Sequence, residues 1–406
     1  MTPIHVIGLG LGPEDLPDKT LAVLESAQVI AGGLRQLDCF SYHAGRRIPL
    51  KGNLSDWLDQ VERAAVDQTV AVLASGDPGF YGVASQVVDR VGADKVTIHP
   101  NVSSLQAAFA RLKEPWNDAT VISLHGRDER VLFGSLNKPE KIAVFTDPVN
   151  SPARIARLLL SRGQNHWRMS VLEDLGTEHE RVSAYSLEDA ARETFSPLNI
   201  VVLKRWKWPE VPRLGAPEQW YRHEAGLITK SEIRAVALAK LEIQDGQALW
   251  DLGAGCGSVG IEASLLNPNG RIVAVERDPQ RIRHIEENRA RFGVAILEIV
   301  QADLPEGMDD LPEPDRVFIG GGGKALKHII LKTIRRLKPD GVLVAAVARL
   351  ESLHDATDVL RQCGFRTDIS HLHVNRSYPL GGGTFMKPLN PVWLIRATRT
   401  KEGERH

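Results

Sequence analysis

Apolar residues along the chain fall in short continuous runs, and stretches of helical spacing follow them. Residues 4–8 form such a run ending in glycine, and residues 18–30 then carry Leu21, Leu24 and Ala27 three apart, so the order reads strand, loop, helix. That order recurs. Residues 70–74 predict a buried strand that runs into Ser75-Gly76-Asp77-Pro78-Gly79, with a helix through Val83, Val87 and Val88 behind it. Residues 97–100 predict a third strand, and residues 101–112 an apolar helix opening on Asn101-Val102-Ser103-Ser104. Strands that are apolar throughout, not alternating, predict a parallel sheet with helices over both faces.

After Lys113-Glu114-Pro115-Trp116 the pattern restarts, with strands expected at 121–124, 142–145, 169–172 and 198–203 in a second α/β lobe. Residues 204–225 break it with Pro209, Pro212 and Pro217 and carry Trp206, Trp208 and Trp220, which reads as a linker whose aromatic anchors pack between domains. From Gly226 a third α/β unit begins with a helix over 230–241. The expected organisation is a two-lobed domain over 1–203 (lobes of about 1–112 and 117–203), a linker over 204–225 and a second domain over 226–400. A chain of 406 residues is long enough for more than one core.

The clearest chemistry lies in the last unit. A strand at 248–252 runs into Asp251-Leu252-Gly253-Ala254-Gly255-Cys256-Gly257, and a helix over 259–266 follows. Glycines let the backbone turn tightly and approach a ligand that a side chain would block. About twenty residues on, a strand at 271–276 ends in Glu276, the position from which a carboxylate hydrogen-bonds both hydroxyls of a ribose. A strand at 297–300 ends in Gln301-Ala302-Asp303, offering a polar edge to an adenine, and one at 316–319 opens onto the run from Gly320 to Gly323. A glycine loop alone would equally suit a dinucleotide-binding dehydrogenase. The ordered set resembles the class I S-adenosylmethionine-dependent methyltransferases, which implies a Rossmann-like domain.

The N-terminal segment Gly8-Leu9-Gly10-Leu11-Gly12-Pro13-Glu14-Asp15-Leu16, with Thr20 after it, does not have Rossmann spacing. Together with residues 74–81, residues 101–105 and Leu124-His125-Gly126-Arg127-Asp128, it resembles the tetrapyrrole methylase (class III methyltransferase) fold. Joined to the C-terminal half, including residues 226–234 and Gly382-Gly383-Thr384, the whole chain resembles the precorrin-6Y C(5,15)-methyltransferase (decarboxylating) family of cobalamin biosynthesis. That resemblance implies methylation of precorrin-6B at C-5 by the N-terminal domain and at C-15 by the C-terminal domain. It also implies loss of the carboxylate of a ring acetate, to give precorrin-8X, and a homo-oligomer. S-adenosyl-L-methionine is then expected once per domain: near Ser75, Gly76, Asp77, Phe80, Tyr81, Ser103 and Ser104 in the first, and at Thr229, Asp251, Gly253, Ala254, Gly255, Cys256, Gly257, Glu276, Asp303 and Gly320 in the second. The Gly8–Gly12 loop would face the tetrapyrrole instead. Many relatives read Gly-Asp-Pro after the third glycine where this chain has Pro13-Glu14-Asp15, which sets Asp15 aside as a functional acid. A different reading makes the N-terminal domain a tetrapyrrole-binding module without activity.

A sulfonium methyl is already activated, so the residues expected at the chemistry are positioning groups. A many-carboxylate substrate calls for arginine forks and lysines. Arg35, Arg46, Arg47, Lys51 and Arg127 are candidates in the first domain, and Arg349, Arg376 and Lys387 in the second. Glu351 either orients substrate and donates a proton or caps the helix after its strand. His125 is either a general base or a hydrogen-bonded structural residue. His371 and His373 share one strand face without further ligands, so no metal is expected.

Composition narrows the partners. Hydrophobic residues make up 43% and charged residues 25%, with a formal net charge of −1, so no global basic field draws the chain to nucleic acid or to an anionic membrane. Phe318-Ile319-Gly320-Gly321 stands where a nucleic-acid methyltransferase would carry an Asn-Pro-Pro-Tyr-type motif. Cys39, Cys256 and Cys363 lack metal-ligand spacing and supply no disulfide framework. The N-terminal residues lack the form of a signal peptide and no stretch reaches the length of a bilayer span, so the cytoplasm is expected.

Overall fold

A computed structural model describes residues 2–400 apart from 138 and 225. Its contacts divide the chain into two compact units: residues 1–127, 140–154 and 168–204 in one, and residues 128–139, 155–167 and 205–406 in the other. Among the described residues no helix is long and apolar enough to cross a membrane.

The first unit is built on two sheets. β1 (Ile4–Gly8), β2 (Val29–Gly32), β3 (Arg46–Pro49), β4 (Val70–Ala74) and β5 (Val96–His99) form an all-parallel sheet in the order β3-β2-β4-β1-β5. Every residue of β4 and of β2 is buried, as a central parallel strand requires. The helix expected over 18–30 is shorter: it spans Asp18–Ser26, Ala27 is extended, and Val29 and Ile30 belong to β2. Three-residue spacing and a short apolar run merge there in the sequence, and burial of β2 on both faces decides for strand.

The second sheet contains β6 (Thr120–Ser123), β7 (Lys141–Phe145), β8 (Trp167–Glu173), β9 (Arg181–Tyr185) and β10 (Asn199–Arg205) in the order β6-β7-β10-β8-β9. The parallel arrangement expected from its apolar runs holds for β6 and β7, whereas β10 runs antiparallel to β7 and β9 antiparallel to β8. Residues 174–180 are too few for a crossover helix, so the chain must turn back on itself after β8.

The other unit carries β11 (Ala248–Leu252), β12 (Arg271–Glu276), β13 (Leu297–Gln301), β14 (Arg316–Ile319), β15 (Val342–Val347), β16 (Phe365–Leu372), the hairpin β17 (Asn375–Leu380) and β18 (Gly383–Pro388), and β19 (Val392–Arg399). Seven of them form one sheet in the order β13-β12-β11-β14-β15-β19-β16, parallel except for β19, which lies antiparallel between β15 and β16. The order reverses between β11 and β14, where Leu252 pairs with Ile319, and a crevice opens beyond the carboxyl ends of strands at such a point. Trp250, Leu252, Val273, Val275, Val317 and Ile319 pack one sheet face against Ile329, Ile330 and Ile334 of the helix Leu326–Arg336. The strands expected at 248–252, 271–276 and 316–319 are found with those bounds.

The stretch at 215–221 is anchored by one buried carboxylate. Glu262, in the helix Ser258–Ala263, accepts hydrogen bonds from the Gly215 and Ala216 amides (2.8 and 3.0 Å), the Tyr221 hydroxyl (3.0 Å) and Nε of Arg234 (2.7 Å). Arg234 in turn donates to the carbonyls of Ala216 and Thr229. Both side chains are fully buried, which costs free energy that the complete set of partners offsets. Glu262→Gln should lower the unfolding free energy by about 3–5 kcal/mol, read as a lower urea midpoint, because it leaves Arg234 an uncompensated buried cation. The paired change Arg234→Met with Glu262→Leu should regain much of that loss.

Candidate functional site

Each unit presents a cleft at strand ends. In the second unit, β11 ends at Asp251-Leu252, and the chain then turns through Gly253, Gly255 and Gly257 at φ of +72°, +60° and +77°, values that favour glycine. A Cβ at Gly257 would lie 2.9 Å from Ile285, whereas one at Gly255 would meet nothing within 4 Å and would stand in the open cleft. The loop is therefore a backbone cradle, closed behind and open in front.

Glu276, 5% exposed at the end of β12, is held by three amides: Gly255 at 2.9 Å, Arg277 at 3.0 Å and Asp278 at 3.1 Å. Its carboxylate is fixed against the loop and still lines a cleft of about 470 Å³ with Gly253, Arg281, Asp303 and Gly320 to Gly323. Asp303 is exposed, with Arg277 at 3.6 Å. Asp251 lies deeper. Its Oδ2 accepts the Gly260 amide at 3.0 Å and its Oδ1 has no partner. Burial first, with the Glu276 charge adding to it, pushes its carboxyl from 3.8 up to about 7. It is a brace beneath the loop, and it does not line either cleft of this unit.

A second cleft of about 610 Å³ adjoins the first and shares Gly253, Arg281 and Gly320 with it. Thr229, Lys230, Ala254, Gly255, Cys256 and Asn390 also line it. Cys256 is buried in the loop, its carbonyl accepting from Asn288 at 2.9 Å, and burial pushes its thiol pKa up. Of the candidates named from the sequence for this unit, Gly253, Glu276, Asp303 and Gly320 meet in the first cleft, and Thr229, Gly253, Ala254, Gly255, Cys256 and Gly320 in the second; Gly257 packs behind the loop.

Four candidates for the substrate side, Arg349, Glu351, Arg376 and Lys387, stand outside both clefts. Arg376, at the base of the β17–β18 hairpin, donates to Glu218 at 2.8 and 2.9 Å and to Glu232 at 2.9 Å, so its guanidinium is a strut and not a cation open to substrate. Glu351 is 72% exposed beside Arg349 at 3.3 Å, in the first turn of the helix Leu350–Gln362. Lys387 sits over the Tyr378 ring on the hairpin. His371 stacks on Trp393 with ring centroids 4.4 Å apart and meets His373 at 3.2 Å, while β16 ends before His373. Among the described residues no group of three or more His, Cys, Asp and Glu could hold a metal ion.

In the first unit, a cleft of about 370 Å³ is lined by Ser75, Gly76, Asp77, Phe80, Tyr81, Ser103, Ser104 and His125. All seven cofactor candidates of this half thus meet at one place. Gly76, at φ +61°, exchanges backbone hydrogen bonds with Gly10 (2.9 and 3.3 Å), and a Cβ on Gly8 would lie 2.6 Å from the Gly76 carbonyl. That stitching brings Gly10 and Leu11 onto the same cleft. Asp15 accepts the Leu11 amide at 2.8 Å and braces the loop. Ser103 opens its helix with a capping box to Gln106. Arg35 lines the cleft and reaches Ser75 at 3.3 Å; Arg127 does not line it and lies 5.9 Å from the Tyr81 ring centroid.

Sequence reasoning missed Phe145, Thr146, Asp147 and residues 197–200 on this cleft. Thr146 and Asp147 stand just past the buried strand β7, the rule that picked Ser75 after β4, whereas residues 197–200 enter the antiparallel strand β10 and carry no such signal. Phe145 packs with Phe80 and Tyr81 at 5.8 and 5.5 Å between centroids. Asp147 accepts the Gly126 amide at 2.8 Å, and its carboxyl is held below the usual range by hydrogen bonds that outweigh burial.

The model of the tetrapyrrole (corrin/porphyrin) methylases matches residues 3–191, and that of the precorrin methyltransferase domain matches residues 219–399. A Sinorhizobium sp protein named precorrin-6Y C(5,15)-methyltransferase [decarboxylating] is 32% identical over 401 residues, covering 96% of this chain and 94% of its own length. A Salmonella typhimurium protein named cobalt-precorrin-6B C(15)-methyltransferase (decarboxylating) is 39% identical over 179 residues, 44% of this chain and 92% of the relative. A solved structure from Geobacter metallireducens, described as precorrin-6y C5,15-methyltransferase, is 42% identical, covers 46% of this chain and 97% of its own, and gives a TM-score of 0.44.

The raised Asp251 carboxyl has a consequence for stability. Between about pH 4 and 7 the folded chain binds that proton and the unfolded chain does not, so this group withdraws stability as pH rises through the window. Asp251→Asn should therefore gain stability relative to the parent from pH 4 to 7 and hold a constant difference above. Thermal midpoints across that range measure it, and a pH-independent difference would contradict the raised carboxyl.

Proposed function

The chain belongs to the precorrin-6Y C(5,15)-methyltransferase (decarboxylating) family, and from that membership we propose that it methylates precorrin-6B at two meso carbons and removes carbon dioxide from a ring acetate, yielding precorrin-8X. In this reading residues 1–203 methylate C-5, residues 226–400 methylate C-15, and residues 204–225 link them. Proteins of this family use S-adenosylmethionine, and the proposal places one molecule in each domain. A cytoplasmic homo-oligomer completes it.

The observation that carries the reading is the pair of clefts in the second unit that meet at Gly253, Arg281 and Gly320. One cleft has the fixed carboxylate with Gly253 and the run from Gly320 to Gly323, which suit an adenosyl group. The other is larger and faces the same loop from the side of Thr229 and Asn390, as a tetrapyrrole edge would need. When bound, S-adenosylmethionine supplies a methyl group already activated on a sulfonium. Glu276 would hold its ribose, Asp303 its adenine edge and the 253–257 backbone its methionine portion. Asp251 keeps the loop in place from below.

The chain's remaining task is alignment. Holding a nucleophilic carbon in line with a methyl lowers a barrier by roughly 7–11 kcal/mol, whereas one general base contributes a few. In the first unit, Ser75, Ser103 and Ser104 supply polar contacts and Phe80, Tyr81 and Phe145 an aromatic wall, which supports a second cofactor site there. His125 is the imidazole on that cleft and is assigned to receive the proton that the methylated carbon gives up. Arg35, beside Ser75, is assigned a substrate carboxylate.

Equilibrium dialysis of the full chain should find two equivalents of S-adenosylmethionine, falling to one in Glu276→Ala; one equivalent in the parent would favour a first domain that only docks the tetrapyrrole. Mass spectrometry of the product formed from precorrin-6B should show two methyl gains and loss of carbon dioxide. The Glu276→Ala product should lack one methyl and keep the other, and loss of both would refute independent sites.

A further inference from the structure

Removing the carboxylate of a ring acetate leaves an electron pair that must end as a carbon–hydrogen bond, so the site needs an acid beside the reacting carbon. The larger cleft of the second unit offers few. Leu227, Ile228, Ile233, Val347, Leu389 and Val392 give it an apolar wall, and among the described residues no carboxylate lines it. The hydroxyls of Thr229 and Ser258 are weak acids, and burial pushes the Cys256 thiol away from giving up its proton. Arg281 is bound to Glu224 at 3.3 Å, and a guanidinium does not deprotonate in proteins.

Lys230 is different. It precedes the helix Ser231–Leu241 as its N-cap, is half-buried, and its ammonium makes no ion pair or hydrogen bond among the described residues. The acid two residues on, Glu232, is already held by Arg376, as is Ser231. The strut at the foot of the β17–β18 hairpin thus keeps the adjacent carboxylate engaged and leaves a lysine unpaired on a cleft that has an apolar wall and, among the described residues, no carboxylate.

We propose that Lys230 is the catalytic acid of the decarboxylation, delivering a proton to the acetate carbon that loses carbon dioxide. The inference deepens the function proposed above and rests on it. The bond between the acetate methylene and its carboxylate carbon breaks, its electron pair enters the conjugated ring, and carbon dioxide departs. The pair then returns to the methylene carbon and takes the Lys230 proton, leaving a ring methyl group and a neutral amine that solvent reprotonates. The apolar wall deprives the departing carboxylate of water, which favours its loss. An ammonium seated permanently on the carboxylate would stabilise the reactant and oppose that loss, so the lysine acts on the carbon.

The test uses the full chain with precorrin-6B and S-adenosylmethionine, reading carbon dioxide released per methyl transferred, with donor stoichiometry as the check on folding. Lys230→Met should lower that ratio by about 10²–10⁴-fold and accumulate a methylated product that keeps its carboxylate. Lys230→Arg should be as deficient, because it retains the charge without a transferable proton. A parental ratio in Lys230→Met, or its recovery in Lys230→Arg, overturns the proposal. A parent chain that neither methylates nor decarboxylates overturns instead the function on which it rests.

Discussion

The second unit is organised around a carboxylate that water does not reach. Glu262 joins the helix behind the glycine cradle, the helix that follows the Thr229-Lys230 turn, and the chain at 215–221, through four donors on two oxygens. Because an unpaired ion at that depth is costly, these segments share one geometry or the pair fails. The cradle's shape and the placement of Thr229 and Lys230 are consequences of that constraint: the Arg234 guanidinium fixes the Thr229 carbonyl directly. Burial also pushes the Tyr221 phenol up, so its hydroxyl stays a donor to Glu262.

A similar economy governs the loop itself. Glu276 is both a ligand-facing group and a staple, since the Gly255 amide that it accepts belongs to the cradle. Asp251 holds the helix Ser258–Ala263 behind the cradle through the Gly260 amide. Two acids so placed repel when both are ionised, and the deeper one yields by keeping its proton. Glu276 still lines the cleft, whereas Asp251 lines neither. In the first unit, backbone pairing of Gly10 with Gly76 and the Ser103 capping box fix the strand ends.

Much of this was legible along the chain. Buried parallel strands write themselves as continuous apolar runs, and strand ends carrying glycine or acid mark the cleft, which is why β11, β12 and β14 and the first-unit serines were found. What was illegible depends on distant partners. Arg376 meets Glu218 across 158 positions, and nothing local distinguishes it from a substrate-binding arginine. The β17–β18 hairpin buries almost nothing, so it leaves no hydrophobic pattern to read. The antiparallel course of β9 is set by its short connection to β8, and apolar runs alone do not report the direction of β10. Lys230 lay within a recognised segment but was passed over, because its significance is the absence of a partner.

The anchoring of residues 215–221 on Glu262 changes how the chain should be dissected. Composition marks 204–225 as a spacer, yet its later half is an internal part of the C-terminal fold. A polypeptide begun at residue 226 would keep the Arg234–Glu262 pair but strip that carboxylate of the Gly215, Ala216 and Tyr221 donors that seal it. A functional excision of this half has to start upstream of Glu210, whose amide and carboxylate already pair with Arg291.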